Sequence, residues 1–127
     1  MSKIINNWIK LSEYDIKTAD AMFESKRFVY VIFMCHLSTE KALKAVVIKK
    51  IKKAPPKTHD LFYLIKLSAI DIPSIYETTI AHLNEASIPT RYPEDISKLT
   101  KQYNKQVAQR YLRATKGLLK WLKAQVK

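Results

Sequence analysis

Three histidines, His36, His59 and His82, are the side chains of this sequence whose ordinary pKa suits proton transfer near neutral pH. They lie far apart along the chain, without the close helical spacing of paired histidine ligands or an HExxH motif. No nucleophile–base–acid order can be assembled from the residues around them. We therefore predict no metal site, no cofactor and no catalytic residue from these spacings.

Other reactive side chains each have a structural explanation. His59 directly follows two prolines and would brace the start of a helix, with catalysis as the alternative. Asp15 and Asp20 lie on or near the apolar face of the first helix, where we expect exposed carboxylates paired with lysine or arginine rather than a catalytic role. Cys35, the single cysteine, belongs to an apolar stripe and is expected to be buried and inert.

Arg110 and Arg113 flank Tyr111 in a basic and aromatic cluster near the end of the chain. Arginines bind phosphates and aromatic rings stack on bases, so the cluster suits RNA. The alternative places Tyr111 in the core and the arginines in solvent, and the apolar spacing around Tyr111 favours it.

The net charge is +12, and it is unevenly distributed. Residues 41–57 contain seven lysines and no acid, and from Ile96 onward there are nine lysines or arginines and no acid, Lys116, Lys120 and Lys123 among them. Such blocks attract polyanions. A solvated lysine surface and an acidic protein partner remain as alternatives.

These side chains must be positioned by helices, because the run from Arg27 to Lys53 is apolar at helical spacing and contains no glycine or proline. Phe28, Ile32, Cys35, Ala42 and Val46 form its stripe. We predict one long central helix here. His36, Thr39 and Glu40 interrupt its middle with polar groups.

Proline and capping residues predict the other boundaries. A first helix runs from Ser2 or Lys3 to Ser25, and a short turn around Ser25 and Lys26 joins it to the long helix as an antiparallel hairpin. A third helix covers 60–68 with Thr58 as its N-cap. A fourth begins at Pro73 and ends near Glu85, with Ile75, Ile80 and Leu83 on its apolar face, and residues 86–95 form a loop. A last helix opens at Ser97 or Thr100, and its apolar seam comprises Tyr103, Val107, Tyr111, Ala114, Leu118 and Trp121.

The chain is therefore predicted to be one all-α domain over residues 1–127, an up-and-down bundle of four to five helices. One cysteine suits a reducing cytoplasm. No apolar run approaches the length of a membrane span, and the first residues do not resemble a signal peptide. We expect a soluble, cytoplasmic protein without a membrane partner.

Four short motifs, in order, resemble those of the HEPN domain family of prokaryotic helical-bundle proteins. They are Tyr14-Asp15-Ile16 with Ala19, the run Ser38-Thr39-Glu40-Lys41-Ala42-Leu43-Lys44-Ala45, then Lys57-Thr58-His59-Asp60-Leu61, and Thr90-Arg91-Tyr92-Pro93-Glu94-Asp95. The resemblance covers most of the chain.

This resemblance implies a bundle of four or five helices that is often a homodimer. Many members neighbour a minimal nucleotidyltransferase in toxin–antitoxin-like pairs, and several are ribonucleases with an arginine, four to six residues, then a histidine. Here eight residues separate Arg27 from His36, and no histidine follows Arg91, Arg110 or Arg113. His36-Leu37 also replaces the usual glutamine pair before the glutamate.

The resemblance further implies a polar site formed by His36, Glu40, Lys44, His59, Asp60 and Arg91, with Glu40 buried against Arg91 or His59. The charge distribution, rather than the resemblance, suggests that nucleic acid would contact Arg110, Arg113, Lys116, Lys120 and Lys123. The predicted function is a non-catalytic binding module that partners a nucleotidyltransferase or binds RNA or nucleotides. The alternative is a ribonuclease toxin with a rearranged site, using His36, His59 and Arg91.

Overall fold

The computed structural model describes residues 2–127, and these residues form α-helices without any strand. The helices are α1 (Lys3–Glu24), α2 (Phe28–Ile51), α3 (Leu61–Ser68), α4 (Ser74–Arg91), α5 (Ile96–Gln102) and α6 (Lys105–Ala124). The predicted all-α bundle is confirmed, although the described chain has six helices rather than four or five. No helix among these residues is both long and apolar enough to cross a bilayer.

Helix α2 is the centre of the bundle, as its sequence predicted. It packs against α1, α3, α4 and α6, so its middle is enclosed on every side. The stripe residues Ile32, Cys35, Ala42 and Val46 are fully buried. The polar residues His36, Ser38, Thr39 and Glu40 are buried as well, so each needs a hydrogen-bonding partner inside the protein.

Helices α1 and α2 form the predicted antiparallel hairpin, joined by a tight turn at Ser25 and Lys26. The Ser12 hydroxyl donates to the Ser38 carbonyl at 2.8 Å, and the Ser38 hydroxyl donates to the Ser12 carbonyl at 2.7 Å. This reciprocal pair satisfies two buried hydroxyls and links the two helices at this level.

The segment between α2 and α3 reverses the chain. Lys52 ends α2 in a left-handed conformation with φ of 56°. The prediction that Thr58 caps α3 is wrong. Asp60 is the cap and accepts from the backbone N–H groups of Phe62 and Tyr63, whereas the Thr58 hydroxyl accepts from the Asp60 N–H.

The loop predicted over residues 86–95 is wrong for residues 86–91, because α4 continues to Arg91 with Pro89 inside it. Residues 92–95 lie outside any helix, as predicted. Proline in a helix interior lacks one donor and costs about 3 kcal/mol. Burial of Ala86, Ser87 and Thr90 offsets that cost. The Thr90 hydroxyl also donates to the Ala86 carbonyl at 2.6 Å. At the other end of α4, Ile75 is exposed rather than part of the core.

The predicted last helix is two helices, α5 and α6. The Asn104 side chain caps α6 by accepting from the Val107 N–H at 3.0 Å. The predicted seam lies beside the true core stripe: Val107, Tyr111, Ala114 and Trp121 are only partly buried. The buried residues of α6 are Ala108, Leu112, Thr115, Leu118, Leu119 and Leu122.

Candidate functional site

Glu40 lies in the middle of α2 and is only 4% exposed. Its Oε1 accepts from His59 Nδ1 at 2.7 Å, and its Oε2 accepts from Lys44 Nζ at 3.1 Å. Lys44 is one helical turn along α2, whereas His59 is brought in by the segment that follows Pro55 and Pro56. Both carboxylate oxygens are therefore engaged inside the bundle, and the expected burial of Glu40 is confirmed.

His36 lies one turn before Glu40 and is completely buried. Its Nε2 must donate to the His59 carbonyl, 2.9 Å away, because a carbonyl can only accept. Burial lowers the pKa of His36 from 6.5 to about 4; the Glu40 carboxylate and the His59 carbonyl oppose this shift, and Arg91 adds to it. The ring is consequently neutral at pH 7, with Nδ1 unprotonated and 3.9 Å from Glu40 Oε1.

The His59 ring completes this group, which we call the Glu40 cluster: His36, Glu40, Lys44 and His59. The ring is 54% exposed although its Nδ1 is bonded to a buried carboxylate. His59 is thus the one histidine of the cluster that solvent reaches.

Arg91 and Asp60, which the resemblance placed with these residues, do not bond to Glu40. The Arg91 guanidinium lies over the Phe33 ring at 5.0 Å, and its Nε and Nη2 are buried without a hydrogen-bond partner among the described residues. Asp60 caps α3 and accepts from the Asn84 side chain at 3.3 Å. Of the two partners expected for Glu40, His59 makes the contact.

The basic residues expected to meet nucleic acid lie along α6. Arg110, Arg113 and Lys120 are exposed and make no ion pair among the described residues. Lys116 pairs with Asp20 at 2.7 Å, and Lys123 pairs with Glu13 at 3.0 Å. Such exposed pairs contribute about 0–1 kcal/mol each, so phosphates could displace the carboxylates.

The acids of α1 meet lysines, as expected. Asp20 pairs with Lys116, and Asp15 pairs with Lys41 at 2.6 Å. Asp15 differs from the expectation of an exposed pair, since it is buried between α1 and α2. Cys35 is fully buried, and burial raises the pKa of its thiol to about 12, so it stays protonated and inert.

The sequence did not predict an aromatic group around His82. The His82 and Tyr111 ring centroids are 6.2 Å apart, and Tyr103 meets Tyr111 edge-on at 6.2 Å. These three side chains and Arg110 border a cavity of about 720 Å³ between α4 and α6. Burial raises the pKa of Tyr111 to about 12, so its hydroxyl stays protonated. The helical spacing of Tyr103, Val107 and Tyr111 was a signal for this group, but it was interpreted as a core seam.

The sequence of this chain matches a known protein family. The family model described as the HEPN domain matches residues 5–125. The chain belongs to the HEPN domain family. The resemblance drawn from the four motifs is therefore confirmed.

Two solved structures share the HEPN fold seen here. The crystal structure of TT1696 from Thermus thermophilus has a TM-score of 0.82 at 17% identity, covering 98% of this chain and 99% of that one. The structure of ST0689, an archaeal HEPN homologue, has a TM-score of 0.80 at 22% identity, covering 99% and 100%. No curated protein matches the chain. At these identities the likeness shows the fold alone.

Proposed function

We propose that this protein is a non-catalytic HEPN-type binding module that pairs with a minimal nucleotidyltransferase and binds RNA or nucleotides. The buried, internally bonded state of Glu40 and His36 supports the non-catalytic part of this proposal. Both oxygens of Glu40 are occupied, and His36 is enclosed and neutral. Acid–base catalysis needs a group that can reach a substrate proton, and neither residue can.

The positive charge on the outer face of α6 supports RNA or nucleotides as the ligand. Arg110, Arg113 and Lys120 present unpaired positive charge on one helix, and the exposed pairs of Lys116 and Lys123 can open at low cost. No motif for reading base edges accompanies them. Binding should therefore be mainly electrostatic and steeply dependent on salt.

The salt dependence of RNA affinity tests this proposal. For single strands the slope of log affinity against log salt is about −0.7 per phosphate contact, so three unpaired cations give about −2. If phosphates displace Asp20 and Glu13, five contacts give about −3.5. Changing Lys116, Lys120 and Lys123 together to Gln should make the slope shallower by about 0.7 to 2, as measured by filter binding at several salt concentrations.

A matched control removes the same charge elsewhere. Lys3, Lys26 and Lys66 are exposed, lie outside both basic blocks and make no ion pair among the described residues, and changing all three to Gln should leave the slope unchanged. Equal slopes for all three proteins would mean that RNA does not bind α6. Co-elution with a nucleotidyltransferase encoded beside this gene would then be the remaining test of the pairing.

A ribonuclease with a rearranged site is the second candidate, and one observation favours it. His59 is half exposed while its Nδ1 is held by Glu40, the arrangement in which a carboxylate orients a histidine base. Cleavage of single-stranded RNA by the purified chain, abolished by His59→Gln, would establish the ribonuclease. No cleavage above background is expected if the chain is a binding module.

A further inference from the structure

A second cavity, of about 710 Å³, lies where the beginning of α1 meets the end of α2 and the two prolines after it. We call it the Trp8 pocket. Its wall is apolar and includes Ile4, Ile5, Trp8, Ile48, Pro55 and Pro56. Five lysines also line it, namely Lys44, Lys49, Lys52, Lys53 and Lys57. Among the described lining residues there is no acid, and Ser2 supplies the one hydroxyl.

The positive charge of the Trp8 pocket is concentrated at its mouth. Lys49, Lys52, Lys53 and Lys57 are exposed, and none of them makes an ion pair among the described residues. Lys44 differs, because it is buried with its Nζ 3.1 Å from Glu40 and 5.5 Å from the centre of the Trp8 ring. The positive charge of Lys44, deeper in the pocket, is therefore neutralised by Glu40, whereas the rim lysines have no carboxylate partner among the described residues.

We propose that the Trp8 pocket binds a small amphiphilic anion, such as a medium-chain carboxylate. The aliphatic body would lie against Trp8, Ile48 and the prolines. The headgroup would meet the rim lysines, whose long stems can lie along apolar surface while their charges stay in water. The cavity volume falls within the range of ordinary small-molecule sites.

The chemistry of the wall favours such an anion over a nucleotide. A buried base has several donors and acceptors that need partners, and a lost hydrogen bond is costly. The wall offers Ser2 and no asparagine, glutamine or acidic side chain. An inorganic anion would meet the lysines but would leave the apolar wall unused.

Tryptophan fluorescence can report binding directly. The chain has two tryptophans, so Trp121→Phe leaves Trp8 as the single probe. Decanoate below its micelle-forming concentration should change this signal saturably. Decanol and decyltrimethylammonium should bind roughly tenfold more weakly than decanoate, or weaker still. Each of several exposed charge contacts raises the affinity for the anion a few-fold. AMP should give no saturable change.

Two pairs of variants locate the site. Ile4→Glu adds a carboxylate to the pocket at a residue that is 62% exposed, and Ile75→Glu is its control at a residue that is 76% exposed on α4. The second pair begins with the change of Lys49, Lys52 and Lys53 together to Gln, which removes three positive charges from the rim. Its control, the change of Lys98, Lys101 and Lys105 to Gln, removes the same charge elsewhere. Only the pocket variant of each pair should weaken decanoate binding, with unchanged helical circular dichroism.

Several results would overturn the proposal. Equal binding of decanol and decanoate would mean that the lysines play no part, and unchanged affinity in Ile4→Glu would place the ligand elsewhere. Saturable binding of AMP alone, or no binding of decanoate, would reject the ligand class. Phosphatidylglycerol vesicles that sediment the chain when monomeric decanoate does not bind would indicate a lipid surface instead. RNA binding by α6 is measured separately and stays independent of these outcomes.

Discussion

Acid should destabilise this protein through His36, and one substitution should remove that effect. The ring is fully buried, and burial lowers its pKa to about 4 in the folded chain. In the unfolded chain the pKa is the ordinary 6.5. Between these two pH values the unfolded state binds more protons, so the free energy of unfolding must fall as the pH falls.

The size of the effect follows from the two pKa values. At about 1.36 kcal/mol per pH unit, the interval from 6.5 to about 4 corresponds to about 3 kcal/mol. The loss begins below pH 6.5 and is complete below about pH 4. For a domain of ordinary stability this is a large fraction of the free energy of unfolding.

Urea denaturation of the wild type and His36→Gln at pH values from 7 to 4 measures this loss. Glutamine does not titrate, and its amide can donate to the His59 carbonyl as His36 Nε2 does. The two proteins differ only at this side chain, so the difference between their pH curves reports on His36. The stability of the wild type relative to the variant should fall by about 3 kcal/mol across this range. Parallel pH curves would refute the reasoning, because they would mean that His36 takes up its proton equally in both states.

Three further predictions concern stability and assembly. Glu40→Ala should cost about 3–5 kcal/mol in urea denaturation, because it leaves Lys44 buried without its partner; adding Lys44→Met should recover part of that loss, and purely additive effects would contradict the pairing. Gly117→Ala should raise the free energy of unfolding by about 0.5–1 kcal/mol, because alanine favours a helix interior such as that of α6 over glycine. The new methyl group would lie 3.4 Å from Tyr76, so a lower stability would mean that Tyr76 cannot adjust. We expect a homodimer without a partner, and a monomer mass in light scattering at micromolar concentrations would contradict this.

Local sequence was sufficient where hydrophobic spacing and chain breakers agreed. The apolar run before Pro55 predicted α2 to within two residues at its end, and the turn at Ser25 and Lys26 predicted the hairpin. The burial of Glu40 was also predicted, whereas His59 as one of its two expected partners came from the family resemblance, and that contact is present. Periodicity identifies a buried helix because one face must leave water whatever it packs against.

Sequence failed where packing overrode local preference. Pro89 predicted a loop, but burial of Ala86 and Thr90 holds α4 together across it. The step from Tyr103 to Val107 continued a helical spacing across the Asn104 cap, so α5 and α6 were predicted as one helix. Propensity and spacing are weak preferences, and a few kcal/mol of tertiary burial can reverse them.

The sequence by itself determined the helical class, the central α2 and the excess of positive charge. Only the tertiary structure decided which charges are free. It pairs Lys116 with Asp20 and Lys123 with Glu13 across α1 and α6, and it sets Lys44 between Glu40 and the Trp8 ring. The physical reason is one of distance, since a helical pattern shows which side of each helix is buried but not which helix it meets. Coulomb energies and desolvation depend on those separations, so the ionisation of His36 could be known only from the folded chain.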